Sequence, residues 1–89
     1  MAATRFGDIS AMFSAGQVMC MKDRGVLLTD YAYMGDSAGD SDFGDHANAR
    51  HVFARLMGTE TPRMPPNGAF WTNDMLAKYQ SWIEGGFLA

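Results

Sequence analysis

Thr72-Asn73-Asp74-Met75-Leu76-Ala77-Lys78-Tyr79-Gln80-Ser81-Trp82-Ile83-Glu84-Gly85-Gly86 is the stretch that decides the fold class. Met75, Leu76, Tyr79, Trp82 and Ile83 fall at i, i+1, i+4, i+7 and i+8. That spacing marks one face of an α-helix and does not fit the two-residue alternation of a strand. Thr72 is suited to the N-cap, where its hydroxyl accepts from a free backbone N–H of the first turn. Asp74 lies where the helix dipole favours negative charge, and Gly85-Gly86 ends the element. A helix with this apolar stripe must lay it against another element.

Moving toward the N-terminus, residues 59–67 hold all three prolines and predict a non-helical segment. Before it, Ala49, Val52, Phe53, Leu56 and Met57 form the buried stripe of a helix over about residues 46–57, with Asp45 as its N-cap and Gly58 as its end. Residues 35–45, rich in Gly, Asp and Ser, read as a loop. Thr29 or Asp30 caps a short helical turn at Tyr31-Ala32-Tyr33-Met34. Val26-Leu27-Leu28 is too short to assign. Residues 17–24 fit a short helical turn closed by Gly25. Phe6, Ile9, Met12 and Phe13 mark a first helix over about Thr4 to Ala15, with Ala15-Gly16 as a break or bend. No strand alternation competes. The expectation is all-α: three main helices, one or two short ones and long ordered loops. The first and last helices are expected to pack on each other through these stripes.

The 89 residues, 9.7 kDa, amount to a single domain spanning 1–89. Surface scaling predicts roughly 5,000 Å² exposed when folded, which allows a thin core. Apolar residues make up 47% and charged residues 19%, a globular balance that argues against disorder. No apolar run is long enough for a membrane span. No basic segment followed by an apolar one opens the chain, so a cytoplasmic location is expected. A lone cysteine, Cys20, leaves no internal disulfide and fits a reducing compartment. Seven basic against ten acidic residues give a net charge of −3, unfavourable for nucleic-acid binding. The eight methionines suit either a core of irregular shape or a surface that adapts to a partner.

Chemistry-bearing residues are few. Asp36, Asp40, Asp42 and Asp45 offer oxygen ligands of the kind Ca²⁺ takes, but Asp40-x-Asp42-x-x-Asp45 lacks the Gly and Glu positions of an EF-hand; a solvated loop ending in a helix cap is the simpler reading. His46 and His51, five apart, do not share a helix face, and with one cysteine they make no recognisable zinc set. Cys20 sits between Met19 and Met21 and reads as a buried, inert thiol rather than a nucleophile. Phosphate-loop and serine-nucleophile motifs are missing.

The order of features resembles a small class I cytochrome c domain. Ile9-Ser10-Ala11-Met12-Phe13 is similar to the family's first helix, and Asp45-His46-Ala47 to the start of its middle helix. Met64-Pro65-Pro66-Asn67-Gly68 resembles the loop that supplies a methionine ligand. Tyr79-Gln80-Ser81-Trp82-Ile83-Glu84-Gly85-Gly86 is similar to the end of its final helix. The resemblance covers about residues 6–87 and implies a small cytochrome c-like bundle. It also places the family's Cys-x-x-Cys-His haem attachment at Gln17-Val18-Met19-Cys20-Met21. Gln17 stands where the first cysteine would be, Cys20 where the second would be, and Met21 where the proximal histidine would be. Gln forms no thioether, and Met offers iron no imidazole nitrogen. No cofactor is therefore expected. A haem-sized void of roughly 300 Å³ would cost on the order of 7 kcal/mol, comparable with a small domain's whole stability, so side chains must fill it.

Two readings of function follow. In the first, the chain is a haem-less cytochrome c-like domain acting as an accessory or interaction subunit of a partner protein, an enzyme of the same pathway. Its contact surface is expected at Val18, Met21, Met64, Pro65, Pro66, Phe70 and Trp71. In the alternative, it is an unorthodox electron-transfer, haem or metal carrier that uses Met21, Met64 and Cys20 as ligands.

Overall fold

A computed structural model describes residues 3–61, 63–64 and 70–89. Its elements are α1 (Phe6–Ser10), α2 (Ala15–Lys22), α3 (Tyr31–Met34), α4 (Ala47–Met57) and α5 (Asn73–Glu84), and the described residues contain no strand. The exposed area is 5098 Å², close to the value of roughly 5,000 Å² that size alone predicts. Among the described residues no helix is long and apolar enough to cross a membrane.

Helix α5 forms as its periodicity predicts. The Thr72 hydroxyl accepts from Met75 N at 3.3 Å, and the helix stops before Gly85. Asp30 caps α3 by accepting from Ala32 N at 2.9 Å. Gly58, with φ of 85°, supplies the left-handed residue that ends α4.

The N-terminal region departs from the periodicity of its sequence. The first helix ends at Ser10, short of the expected Ala15, and the helical turn expected over 17–24 begins two residues earlier, because Ser14 captures the amide of Gln17 at 3.1 Å and starts α2 at Ala15. Ala15-Gly16 therefore opens a helix rather than breaking one. The intervening turn sends Phe13 inward, where its ring meets that of Trp71 at 5.0 Å.

Asp45 is not the cap of α4. That position belongs to His46, which adopts left-handed φ and ψ of 47° and 44°. The Asp45 carboxylate is taken by His46 Nδ1 at 2.7 Å and Arg50 Nη2 at 3.2 Å. Carbonyls of the Gly/Asp-rich loop satisfy the helix start instead: His46 N donates to Ser37 O at 3.1 Å, and Ala47 N to Ala38 O at 3.0 Å.

The core lies where α5 packs against α1 and α4; α3 packs against α4, and its Tyr31 ring lies 5.3 Å from Phe6 of α1. Phe6 and Ile9 of α1, Val52 and Leu56 of α4, and Tyr79 and Trp82 of α5 are buried. The chain after α5 folds back: Phe87 N donates to Trp82 O at 2.9 Å, and the Phe87 ring packs edge-on against Trp82 at 5.1 Å. Leu88 O then accepts from Phe6 N at 2.8 Å and Trp82 Nε1 at 2.9 Å, tying the two ends of the chain together. Of the stripe expected on α4, Met57 is the exception and remains exposed, one turn past Phe53, which stacks on Tyr79 at 5.1 Å.

Candidate functional site

The structure does not bring the expected contact residues to the surface as a unit. Met21 is 1% exposed, Met64 0% and Trp71 8%, and all three belong to the hydrophobic core with Leu28, Met34, Tyr79 and Trp82. Val18 is half-buried and Phe70 exposed, while Pro65 and Pro66 lie outside the described residues. The causes are local. Val26 N donates to Met21 O at 2.9 Å, folding the chain back at the end of α2. Met64 N donates to Arg55 O at 2.9 Å, which pins that segment to α4. Trp71 lies between Phe13 and Tyr79, at ring distances of 5.0 and 6.2 Å. Phe70 is left outside, with the Arg63 guanidinium 3.8 Å from its ring centre.

These residues do not fit a c-type haem. Gln17 is buried and chemically unable to form the link, and its Nε2 has no hydrogen-bond partner among the described residues. Cys20 is half-buried and one residue from Met21, so the two point about 100° apart around α2. The Met21 and Met64 thioethers are packed among apolar side chains rather than presented to a cavity.

A polar constellation lies elsewhere, around His51 of α4. Its Nδ1 meets Glu60 Oε1 at 2.5 Å and its Nε2 meets Asp40 Oδ2 at 2.6 Å. Asp42 Oδ2 stands 3.7 Å from the same Nε2. Arg55, one turn after His51, donates from Nε to Glu60 Oε2 at 3.0 Å. Glu60 reaches this face because the chain reverses beyond Gly58, with Thr59 N and Glu60 N both donating to Ala54 O. Asp40 is fixed from the other side: its Oδ1 accepts from the backbone N–H groups of Asp42 and Phe43, both at 2.9 Å. The Phe43 ring abuts the imidazole edge-on at 4.8 Å.

The electrostatics follow the geometry. The Glu60 hydrogen bond holds the His51 pKa above its ordinary value, partial burial opposes it and Asp40 adds to it. Asp40 is held below the usual carboxylate range by the Phe43 N–H first and by His51 second. Partial burial pushes Glu60 up, but the bonds from His51 and Arg55 together outweigh it and the net shift is down. Beside the cluster, Tyr33, Asn48, Val52 and Arg55 join His51 and Glu60 in lining a cleft of about 190 Å³. The Tyr33 hydroxyl is raised by burial, against the opposing charge of Arg55.

No family model, curated protein or solved structure matches this chain. Both imidazole nitrogens of His51 face carboxylates rather than a hydroxyl or thiol, so the ring is not placed to activate a nucleophile. The arrangement is suited to holding positive charge. Sequence spacing sets His51 beside His46 and Asp40 beside the other loop aspartates, and does not bring His51 and Asp40 together. The available signal was the pair His51 and Arg55 at i and i+4, followed by Gly58 and then Glu60, which returns an acid to the face carrying both cations.

Proposed function

We propose that this chain is a cytochrome c-like helical domain that works without haem, as an accessory subunit bound to an enzyme. The observation that carries the reading is the burial of Met21 and Met64. The two side chains best placed to act as soft axial ligands are 1% and 0% exposed within one packed core. Side chains of the chain itself thus take up interior volume that a cofactor needs. Packing of α1 on α5, through Phe6 and Trp82 rings 5.8 Å apart, is in keeping with the resemblance. The exposed apolar groups available for a partner include Met19, 70% exposed, and Phe70, 45% exposed. A net charge of −3 disfavours nucleic acid as that partner.

The test is purification of the tagged chain from its native host, with intact-mass and absorption measurements on the product. The expected result is a colourless chain of unmodified mass in fixed stoichiometry with one enzyme. Met19→Ser with Phe70→Ser should release that enzyme while leaving the circular dichroism unchanged. A strictly monomeric product, or a stoichiometric haem with a Soret band, overturns the reading.

A further inference from the structure

We propose that Asp40, Asp42 and His51 form a binding site for a divalent transition-metal ion of the zinc type, which clips the acidic loop onto α4. Three observations converge on it. The first is donor placement. His51 Nε2, a carboxylate oxygen of Asp40 and one of Asp42 all lie within 4.8 Å of one another. Ligands at ordinary zinc distances and tetrahedral angles stand about 3.4 Å apart. The separations from Nε2, 2.6 Å to Asp40 and 3.7 Å to Asp42, straddle that value, so small side-chain shifts bring both carboxylates to ligand spacing from the imidazole.

The second is orientation. A ligating histidine ordinarily donates its other ring N–H to a carboxylate, which fixes ring and tautomer. Glu60 occupies that place on Nδ1, and Arg55 in turn fixes Glu60. Asp40 is aimed independently, because two backbone N–H groups hold its Oδ1 and leave Oδ2 toward His51. The supports come from separate segments, the loop and the turn after α4.

The third is charge. Asp40, Asp42 and Glu60 carry three negative charges, whereas a protonated His51 and Arg55 carry two positive ones. A single Nε2–H can bond one of the two aspartates facing it but not both. A divalent ion in its place meets both carboxylates and the nitrogen together. The imidazole donor favours zinc-type ions over Ca²⁺ and Mg²⁺, which take oxygen ligands. Three protein ligands leave room for water as the fourth.

Calorimetric titration of the chelator-treated full chain with Zn²⁺, Co²⁺ and Ca²⁺ tests the site. One Zn²⁺ per chain is expected, with Co²⁺ giving the visible absorption of a mixed nitrogen and oxygen site and Ca²⁺ binding far more weakly. His51→Gln and Asp40→Asn should each weaken Zn²⁺ binding by about 100-fold, and Glu60→Gln by about 10- to 100-fold. Asp42→Asn, on an exposed loop position that leaves the core untouched, should weaken it at least about 10-fold even if the other variants fold poorly. His46→Gln should leave it unchanged. Absence of saturable Zn²⁺ binding, undiminished affinity in both His51→Gln and Asp42→Asn, loss of the site in a folded His46→Gln, or Ca²⁺ binding tighter than Zn²⁺ overturns the proposal.

Discussion

The Tyr79 hydroxyl donates to the carbonyl of Ala49 at 2.8 Å, and both residues are 0% exposed, so one buried hydrogen bond fastens α5 to α4. Burial holds the Tyr79 pKa well above its usual 10.0, and the nearby Tyr33 adds to the shift. The unfolded chain gives up this proton near pH 10, whereas the folded chain keeps it. Stability from this group is therefore complete below pH 10 and declines as pH rises toward the folded value, by up to about 1.4 kcal/mol per pH unit. Tyr79→Phe should cost about 1–2 kcal/mol at neutral pH and flatten the alkaline decline. Urea unfolding of both proteins between pH 8 and roughly 11 checks this. An equally steep decline in the variant would show that Tyr79 is not its source.

Trp82 joins α5 to α1 and to the segment that follows α5. It packs against Phe6, Tyr79 and Phe87, at 5.8, 5.5 and 5.1 Å, and donates to Leu88 O. Trp82→Ala should cost roughly 3–5 kcal/mol, by cavity formation and by loss of the tie between chain ends. In a domain of this size that lowers the melting temperature by about 12 °C or more, measurable by calorimetry. An unchanged melting temperature would refute the packing of α1 on α5.

The course of α5 was legible because its period, cap and stop all agree. The Phe6 and Ile9 end of α1 and the stop of α4 at Gly58 were legible for the same reason. The break at Ser14 was hidden because an apolar stripe continues through Met12 and Phe13, and a serine capping from within a periodic run leaves the pattern intact. The start of α4 was misread because Asp45 has the right chemistry for a cap, yet backbone carbonyls from Ser37 and Ala38 reach the amides first. The His51 cluster was not legible for a related reason: Asp40 is eleven residues away and arrives through a loop whose path is set by Asx turns rather than by periodicity. Met21 and Met64 were expected outside, because local sequence says nothing of how the chain folds back onto α2 and α4.

Gln17 is 5% exposed, and its Nε2 finds no partner among the described residues. A buried amide N–H without an acceptor costs about 1–3 kcal/mol. Gln17→Met keeps the unbranched shape and removes the polar group, so it should raise stability by a comparable amount. Chemical denaturation reads the change directly. A destabilised Gln17→Met variant would mean that the amide is satisfied in solution, by water or by another group, and that its burial carries no penalty.

Met21 occupies the position of the proximal histidine in the resemblance, so replacing it separates a filled core from a collapsed cofactor pocket. If the side chain is only packing, Met21→His puts an imidazole among apolar groups without a designed partner and shortens the side chain. The combined loss should be about 2–5 kcal/mol. It should grow as the pH falls below about 6.5, because the unfolded state takes up a proton that the buried ring resists. Adding Gln17→Cys to Met21→His supplies a second thiol beside Cys20 and an imidazole, at the spacing of a c-type haem attachment. Co-expressed with a haem-attachment system, this double variant should remain colourless and of unmodified mass, because the thioether of Met64 and the ring of Trp71 still fill the interior. A Soret band together with a haem adduct in the intact mass would show that the interior opens readily around residue 21. The haem-independent reading would then give way to that of a lapsed carrier with its pocket preserved.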